Sequence, residues 1–230
     1  MQKKLVSMIA LAVCLGVGLL AASSARADDF SFTGNFTQDD NVQLFHFSVG
    51  TSSNVVLRTW SYAGGTNAAG QSIAEGGFDP ILALFDSTGA LINQNDDGGC
   101  GNVAADSVTG SCFDTYLAVN DLTAGDYTVS VMEYNSFANG PNLSDGFSQD
   151  GTGNFTLAAY GDSSTPCDKY IDVNGVCRDS HWAFDVDGVL RASTPTPPPP
   201  SATPEPASLL LLGTGLLGLG LVSRLRRQPA

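Results

Sequence analysis

Residues 115–134 read TYLAVNDLTAGDYTVSVMEY. Tyr127, Val129 and Val131 alternate with Thr128 and Ser130, a period of two that fits a strand with one face buried. A second apolar run, Thr115–Val119, precedes it, and "TAGD" between the two is a turn signal. Working outward, the same grammar repeats. Strands are expected near Phe30–Phe36, Val42–Val49, Val55–Tyr62, Ile81–Phe85, Leu91–Asn93 and Phe155–Tyr160, separated by "STGA", "NDDGG" and "ANGPN". No window has the 3.6-residue period of an amphipathic helix. Eight short strands at this spacing predict an all-β fold, an antiparallel β-sandwich or jelly roll. The pentapeptide Thr-Gly-Asn-Phe-Thr occurs at Thr33–Thr37 and Thr152–Thr156, which reads as two similar strand starts rather than a long repeat.

A chain of 230 residues allows one such domain plus appendages. Its charge is unevenly placed. Between Asp28 and Ser193 there are 22 acids against Arg58, Lys169, Arg178 and Arg191. That field repels phosphate backbones, which excludes nucleic acid as a partner and favours divalent cations or basic ligands. The other basic residues sit at the two ends. At the start, Lys3 and Lys4 precede an apolar stretch from Leu5 to Ala22, and Ala25-Arg26-Ala27 forms an A-x-A site. This is the pattern of a secretory signal peptide cleaved after Ala27. Cys14 lies inside the apolar stretch and reads as part of it.

At the other end, Pro204-Glu205-Pro206 is followed by an apolar run of 16 residues, Ala207–Val222, and then by Arg224, Arg226 and Arg227. As a helix the run spans roughly 24 Å, enough to cross a bilayer with its flanking arginines snorkelling. After a cleaved leader it acts as a stop-transfer segment and keeps the arginines cytoplasmic. Seven prolines between Ser193 and Pro206 make an extended spacer of roughly 40 Å. The tripartite order of motif, apolar run and arginine cluster closely resembles the PEP-CTERM sorting signal. That resemblance implies recognition of Pro204, Glu205 and Pro206 by an exosortase. It also implies transient residence in the inner membrane of a Gram-negative bacterium, and delivery to the cell surface or an exopolysaccharide-rich biofilm matrix.

The middle of the chain carries a second resemblance. "DDNVQLFHFSV", "FDPILALFDSTGALINQNDDGG", "TYLAVNDLTAGDYTVSVMEY" and "GNFTLAAY" follow one another in an order similar to the bacterial pre-peptidase C-terminal domain. The resemblance covers roughly residues 34–160 and implies a compact β-sandwich used in surface attachment, some relatives binding collagen and calcium. This chain departs from the pattern in a long insert, Ala63–Gly77, and has no protease domain for the module to serve.

Asn95, Asp96 and Asp97 lie in a Gly-rich turn, Asp39 and Asp40 precede the second strand, and Asp79 and Asp114 stand at strand starts. Calcium takes six to eight oxygens from such loops, and packed acids need a cation to be tolerated. Asp39, Asp40, Asn95, Asp96, Asp97 and Asp114 are therefore the candidate calcium ligands. Asp and Asn are also ordinary turn formers, and both readings stand at this point. Leaving aside Cys14, four cysteines remain, and an even number in an exported chain points to disulfides. Sequence proximity favours Cys100–Cys112 and Cys167–Cys177. The second bridge would staple "DKYIDVNGV" into an appendix on which Trp182 and Phe184 pack back against the sandwich.

No catalytic residue is assigned. "GQSIA" at Gly70–Ala74 lacks the last glycine of a nucleophile elbow, there is no H-E-x-x-H, and His46 falls within an alternating strand. The expected organisation is a signal peptide at 1–27, a sandwich at 28–161 and a disulfide-stapled appendix at 162–192. A proline-rich linker follows at 193–206, then a transmembrane segment and basic tail at 207–230. The expected role is a non-catalytic surface or matrix protein that binds polysaccharide or another matrix protein. Loop aromatics such as Trp60, Tyr62, Phe137 and Phe147 would stack on sugar rings. The alternative is a small secreted hydrolase, glycosidase-like, using the Asp cluster.

Overall fold

The computed structural model describes residues 28–195. The expected signal helix at 1–27 and the transmembrane helix at 207–230 lie outside the described residues. Among the described residues there are eleven strands: β1 (Asp28–Asn35), β2 (Val42–Val49), β3 (Ser53–Thr59), β4 (Gly65–Thr66), β5 (Ser72–Ile73), β6 (Pro80–Phe85), β7 (Leu91–Asn95), β8 (Tyr116–Leu122), β9 (Gly125–Glu133), β10 (His181–Val189) and β11 (Arg191–Ser193). Nine of them form two antiparallel sheets with the orders β1-β10-β3-β8 and β11-β2-β9-β6-β7, and β4 and β5 make a separate two-stranded ribbon. The all-β sandwich predicted from the alternation is therefore the fold, and it is compatible with the middle-domain resemblance.

The alternating apolar residues of both sheets meet in one core. Phe45, Leu57, Leu82, Val129, Val131, Phe184 and Val186 are all fully buried within it. Phe45 anchors the packing, with its ring centroid 4.8 Å from those of both Phe32 and Phe184 and 5.6 Å from Trp182, edge on. Gly34 is paired with Trp182 across β1 and β10, and a Cβ there would fall 2.3 Å from the indole. The glycine lets the ring lie flat against the neighbouring strand. A second, smaller cluster of Ile81, Ala83, Phe85, Met132 and Phe147 covers the outer face of β6 and β9. That cover is why "PILALF" is buried at every position rather than at alternate ones.

Three expectations are corrected. Phe155–Tyr160 is a six-residue helix, not a strand. Its amides are held by Asp39, whose carboxylate accepts from Asn154 N at 2.6 Å, Thr156 N at 2.9 Å and Thr156 Oγ1 at 2.7 Å. A carboxylate on a helix start satisfies donors the helix itself leaves open. The second Thr-Gly-Asn-Phe-Thr therefore begins a helix, while the first lies on the end of β1. The sandwich also does not end at residue 161. β10 lies between β1 and β3, and the chain then crosses at Leu190 to add β11 to the edge of the other sheet. Trp182 and Phe184 are thus core residues of a central strand rather than an appendix packed from outside. Both expected disulfides, Cys100–Cys112 and Cys167–Cys177, are present.

Candidate carboxylate centre

Register brings three strand ends to one place. Leu82 of β6 pairs with Asn95 of β7, and Pro80 pairs with Glu133 of β9. Asp79, just before β6, therefore meets Asp96 and Asp97, just after β7, beside the end of β9. Backbone bonds fix the junction. Tyr134 N donates to Asp79 O at 2.8 Å, and Thr115 Oγ1 donates to Asp96 O at 2.6 Å and also to Pro80 O.

One carboxylate oxygen from each of Asp79, Asp96 and Asp97 lies within 4.8 Å of the other two. Asp79 is buried at 3% exposure, Asp96 is half-buried and Asp97 is exposed, so the cluster runs from the interior to solvent. Asp79 Oδ1, Asp96 Oδ1, Asn95 Oδ1 and Glu133 Oε2 are all buried without a hydrogen-bond partner. Burial, followed by the charges of Asp96, Asp97, Asp172 and Asp114, pushes the Asp79 carboxyl well above the usual range. Burial and then Asp97 push Asp96 up to about 7, and burial raises Asp97. Glu133, fully buried, is likewise pushed well up by burial and then by Asp79 and Asp39, against an opposing pull from Arg178. Unpaired buried acids of this kind are costly in the ionised form and call for a proton or a cation.

The six-residue ligand set expected from the sequence does not converge. Asp39 holds the helix start described above. Asp40 stays at the turn before β2, where Asn41 Nδ2 donates to it at 3.5 Å. Asp114 is buried but satisfied, accepting from Thr59 Oγ1 at 2.9 Å, Tyr62 N at 3.2 Å and Ala63 N at 2.9 Å. Asp96 and Asp97 keep a place, Asn95 adjoins them, and Asp79 joins. Sequence reasoning missed Glu133 altogether. Its signal was there, since Glu133 has the same parity as the core-facing Tyr127, Val129 and Val131.

The loop aromatics are also otherwise engaged. Tyr62 is fully buried, and its hydroxyl donates to Asp172 Oδ2 at 2.7 Å. Phe147 belongs to the smaller core cluster, and Phe137 packs against it. The Arg58 guanidinium stacks 3.6 Å above the Trp60 ring, while Gly65 lies so close to that ring that a Cβ would fall 2.8 Å from it. Tyr62 and Phe147 are thus buried, Trp60 is covered by Arg58 on one side and Gly65 beside it, and Phe137 is half-buried. A surface groove of about 520 Å³ lies instead on the second sheet, and its polar lining comes from His46, Ser48, Asp126, Thr128, Arg191 and Ser193. Arg191 Nε donates to Ser48 Oγ at 2.9 Å, Ser48 in turn donates to Asp126, and His46 Nδ1 lies 3.0 Å from Thr128 Oγ1. Hydroxyls, a carboxylate and a guanidinium thus line one open surface.

The sandwich is stapled by disulfides, and among the described residues no helix is long and apolar enough to cross a membrane. Function is addressed by the residues that follow. Residues 202–227 match the PEP-CTERM protein-sorting motif. The match contains Pro204, Glu205 and Pro206 together with Arg224, Arg226 and Arg227, all outside the described residues. A PEP-CTERM signal directs a chain to exosortase, so this is an exported protein, as its two disulfides also fit. No curated protein matches the chain.

Proposed function

We propose that the protein is a non-catalytic module of the cell surface or extracellular matrix. Exosortase processes its tail, and its sandwich binds polysaccharide or a matrix protein. The observation that carries this reading is the PEP-CTERM match, which begins within the proline-rich stretch that follows the sandwich in sequence. The open groove at His46, Ser48, Asp126 and Arg191 supports a hydroxyl-rich ligand, because the exposed guanidinium of Arg191 and the exposed carboxylate of Asp126 stand side by side on its wall. A hydrolase reading draws less support. It would rest on the carboxylate cluster, whose inner member Asp79 is 3% exposed and so is poorly placed to reach a substrate.

Two measurements test the proposal. Replacing Glu205, or Arg226 and Arg227 together, should strand the protein in the inner-membrane fraction, and variants that reach the surface unchanged would refute the sorting step. Purified exported protein should bind a subset of an exopolysaccharide and matrix-protein array, with binding reduced at least about tenfold by Arg191→Ala. Turnover of a glycoside or peptide panel would instead establish the hydrolase.

A further inference from the structure

We propose that Asp79, Asp96 and Asp97 form a calcium site at the end of the second sheet, closed behind by Glu133. The three carboxylates converge within 4.8 Å from both sides of the β6–β7 pair, on backbone held by Tyr134 N and Thr115 Oγ1. Convergence alone is common among acidic proteins. The independent observation is that the most buried member, Asp79, is 97% buried and has Oδ1 without any donor. Asp96 Oδ1 and Asn95 Oδ1 are in the same condition beside it. Nearly every other buried carboxylate here is well provided for: Asp39, Asp106, Asp114, Asp172 and Asp185 each accept at least three hydrogen bonds. Among the described residues, four of the seven buried oxygens without a partner, those of Asp79, Asn95, Asp96 and Glu133, belong to this corner, where a cation would satisfy several at once.

The donor set selects the ion. It offers carboxylate and amide oxygens only, with no histidine or thiolate in the group, which suits a hard cation rather than zinc. Adjacent acids on a turn, one of them open to water, suit the variable six-to-eight-fold shell of calcium better than the tight octahedron of magnesium. Asp79, Asp96 and Asp97 supply one oxygen each, Asn95 Oδ1 stands next in the chain, and water reaches the ion past Asp97. Glu133 is the acid behind Asp79 that adds negative potential without reaching the group of three. The bound ion ties the start of β6 to the segment after β7, at the root of the loop closed by Cys100–Cys112. It therefore acts as a staple on the same loop as the disulfide.

The site is tested on the exported protein by calorimetric titration with calcium chloride and by thermal melting. One equivalent of calcium should bind. At about a hundredfold excess over the dissociation constant the melting temperature should rise by roughly 5–10 °C, with a smaller rise in magnesium at matched ionic strength. Asp97→Asn, at an exposed position that the fold tolerates, should weaken binding at least tenfold and remove most of the rise. Asp168→Asn, an exposed acid elsewhere, should change neither. No binding at millimolar calcium, an equal rise in magnesium, or a full rise in Asp97→Asn would overturn the proposal.

Discussion

Two residues show how burial decides whether a charge stabilises this fold. Arg178 is buried beneath the Tyr62 ring, 3.9 Å from its centroid, and donates to Asp172 Oδ2 at 2.9 Å and to both oxygens of Asp106 at 3.0–3.1 Å. Burial alone would raise the Asp106 carboxyl, but its bonds from Arg178 and Thr109 outweigh that and hold it far below the usual range. A depressed acid contributes stability above its unfolded pKa, and that contribution is lost as pH falls through the folded value. Arg178→Ala would leave two buried carboxylates uncompensated and should cost about 3–5 kcal/mol by urea unfolding at pH 7. Asp187 has the opposite sign. Burial, then Asp185 and Asp29, push it up to about 6 against the pull of Arg58. The folded form then binds the proton more tightly than the unfolded chain, so stability falls as pH rises from about 4 through about 6. Because Asp187 is only half-buried, solvent screening leaves a penalty on the order of 1 kcal/mol. Asp187→Asn should raise the melting temperature at pH 7 and leave it unchanged below pH 4.

At the scale of elements, β10 holds the first sheet together. It lies between β1 and β3, with Phe32 opposite Phe184 on one side and Leu57 opposite Val186 on the other. A chain ending at residue 161 keeps seven of the eight strands expected from sequence, the eighth being the helix, and still lacks the middle of a sheet. Residues 28–161 should therefore be unfolded by circular dichroism and protease digestion, whereas residues 28–193 should fold. Most of this architecture is legible locally. Val42–Val49 and Tyr127–Glu133 announce themselves by parity, because a strand with one buried face must alternate. β10 has the same signature in Trp182, Phe184 and Val186, but its place in the centre depends on a return of the chain across the sheet that no local pattern records. The helix at Phe155–Tyr160 is illegible for a related reason. "FTLAAY" alternates like a strand, and what selects the helix is Asp39, more than a hundred residues away, bonded to its first amides. Asp39→Ala should lower stability by about 1–2 kcal/mol. The carboxylate centre divides in the same way. Asp96 and Asp97 stand out in their turn, while Asp79 and Glu133 become neighbours only through the pairings of β6 with β7 and β9.

For the molecule as a whole, the two disulfides and Arg178 form one device. Cys100–Cys112 encloses Asp106, Cys167–Cys177 encloses Asp172, and Arg178 binds both acids. With 22 acids and four basic residues between Asp28 and Ser193, mutual repulsion favours expansion, so these cross-links act against a force spread over the whole domain. Each short covalent loop should contribute roughly 2–3 kcal/mol through the entropy of the unfolded chain. If the loops were independent, removing both bridges would cost the sum of the separate losses. They are not independent, because each bridge holds in place one of the two acids that orient the same guanidinium. Opening either loop loosens Arg178, and part of what the other loop contributes is already gone. The fourfold replacement Cys100→Ser, Cys112→Ser, Cys167→Ser, Cys177→Ser, which removes both bridges, should therefore cost less than the two separate pairs summed, by at least about 0.5 kcal/mol. The same cycle in an Arg178→Met background, where the shared guanidinium is absent, should become additive. Urea unfolding of the eight proteins measures both cycles, and additivity in the Arg178 background would mean that the two stapled loops stabilise the sandwich separately.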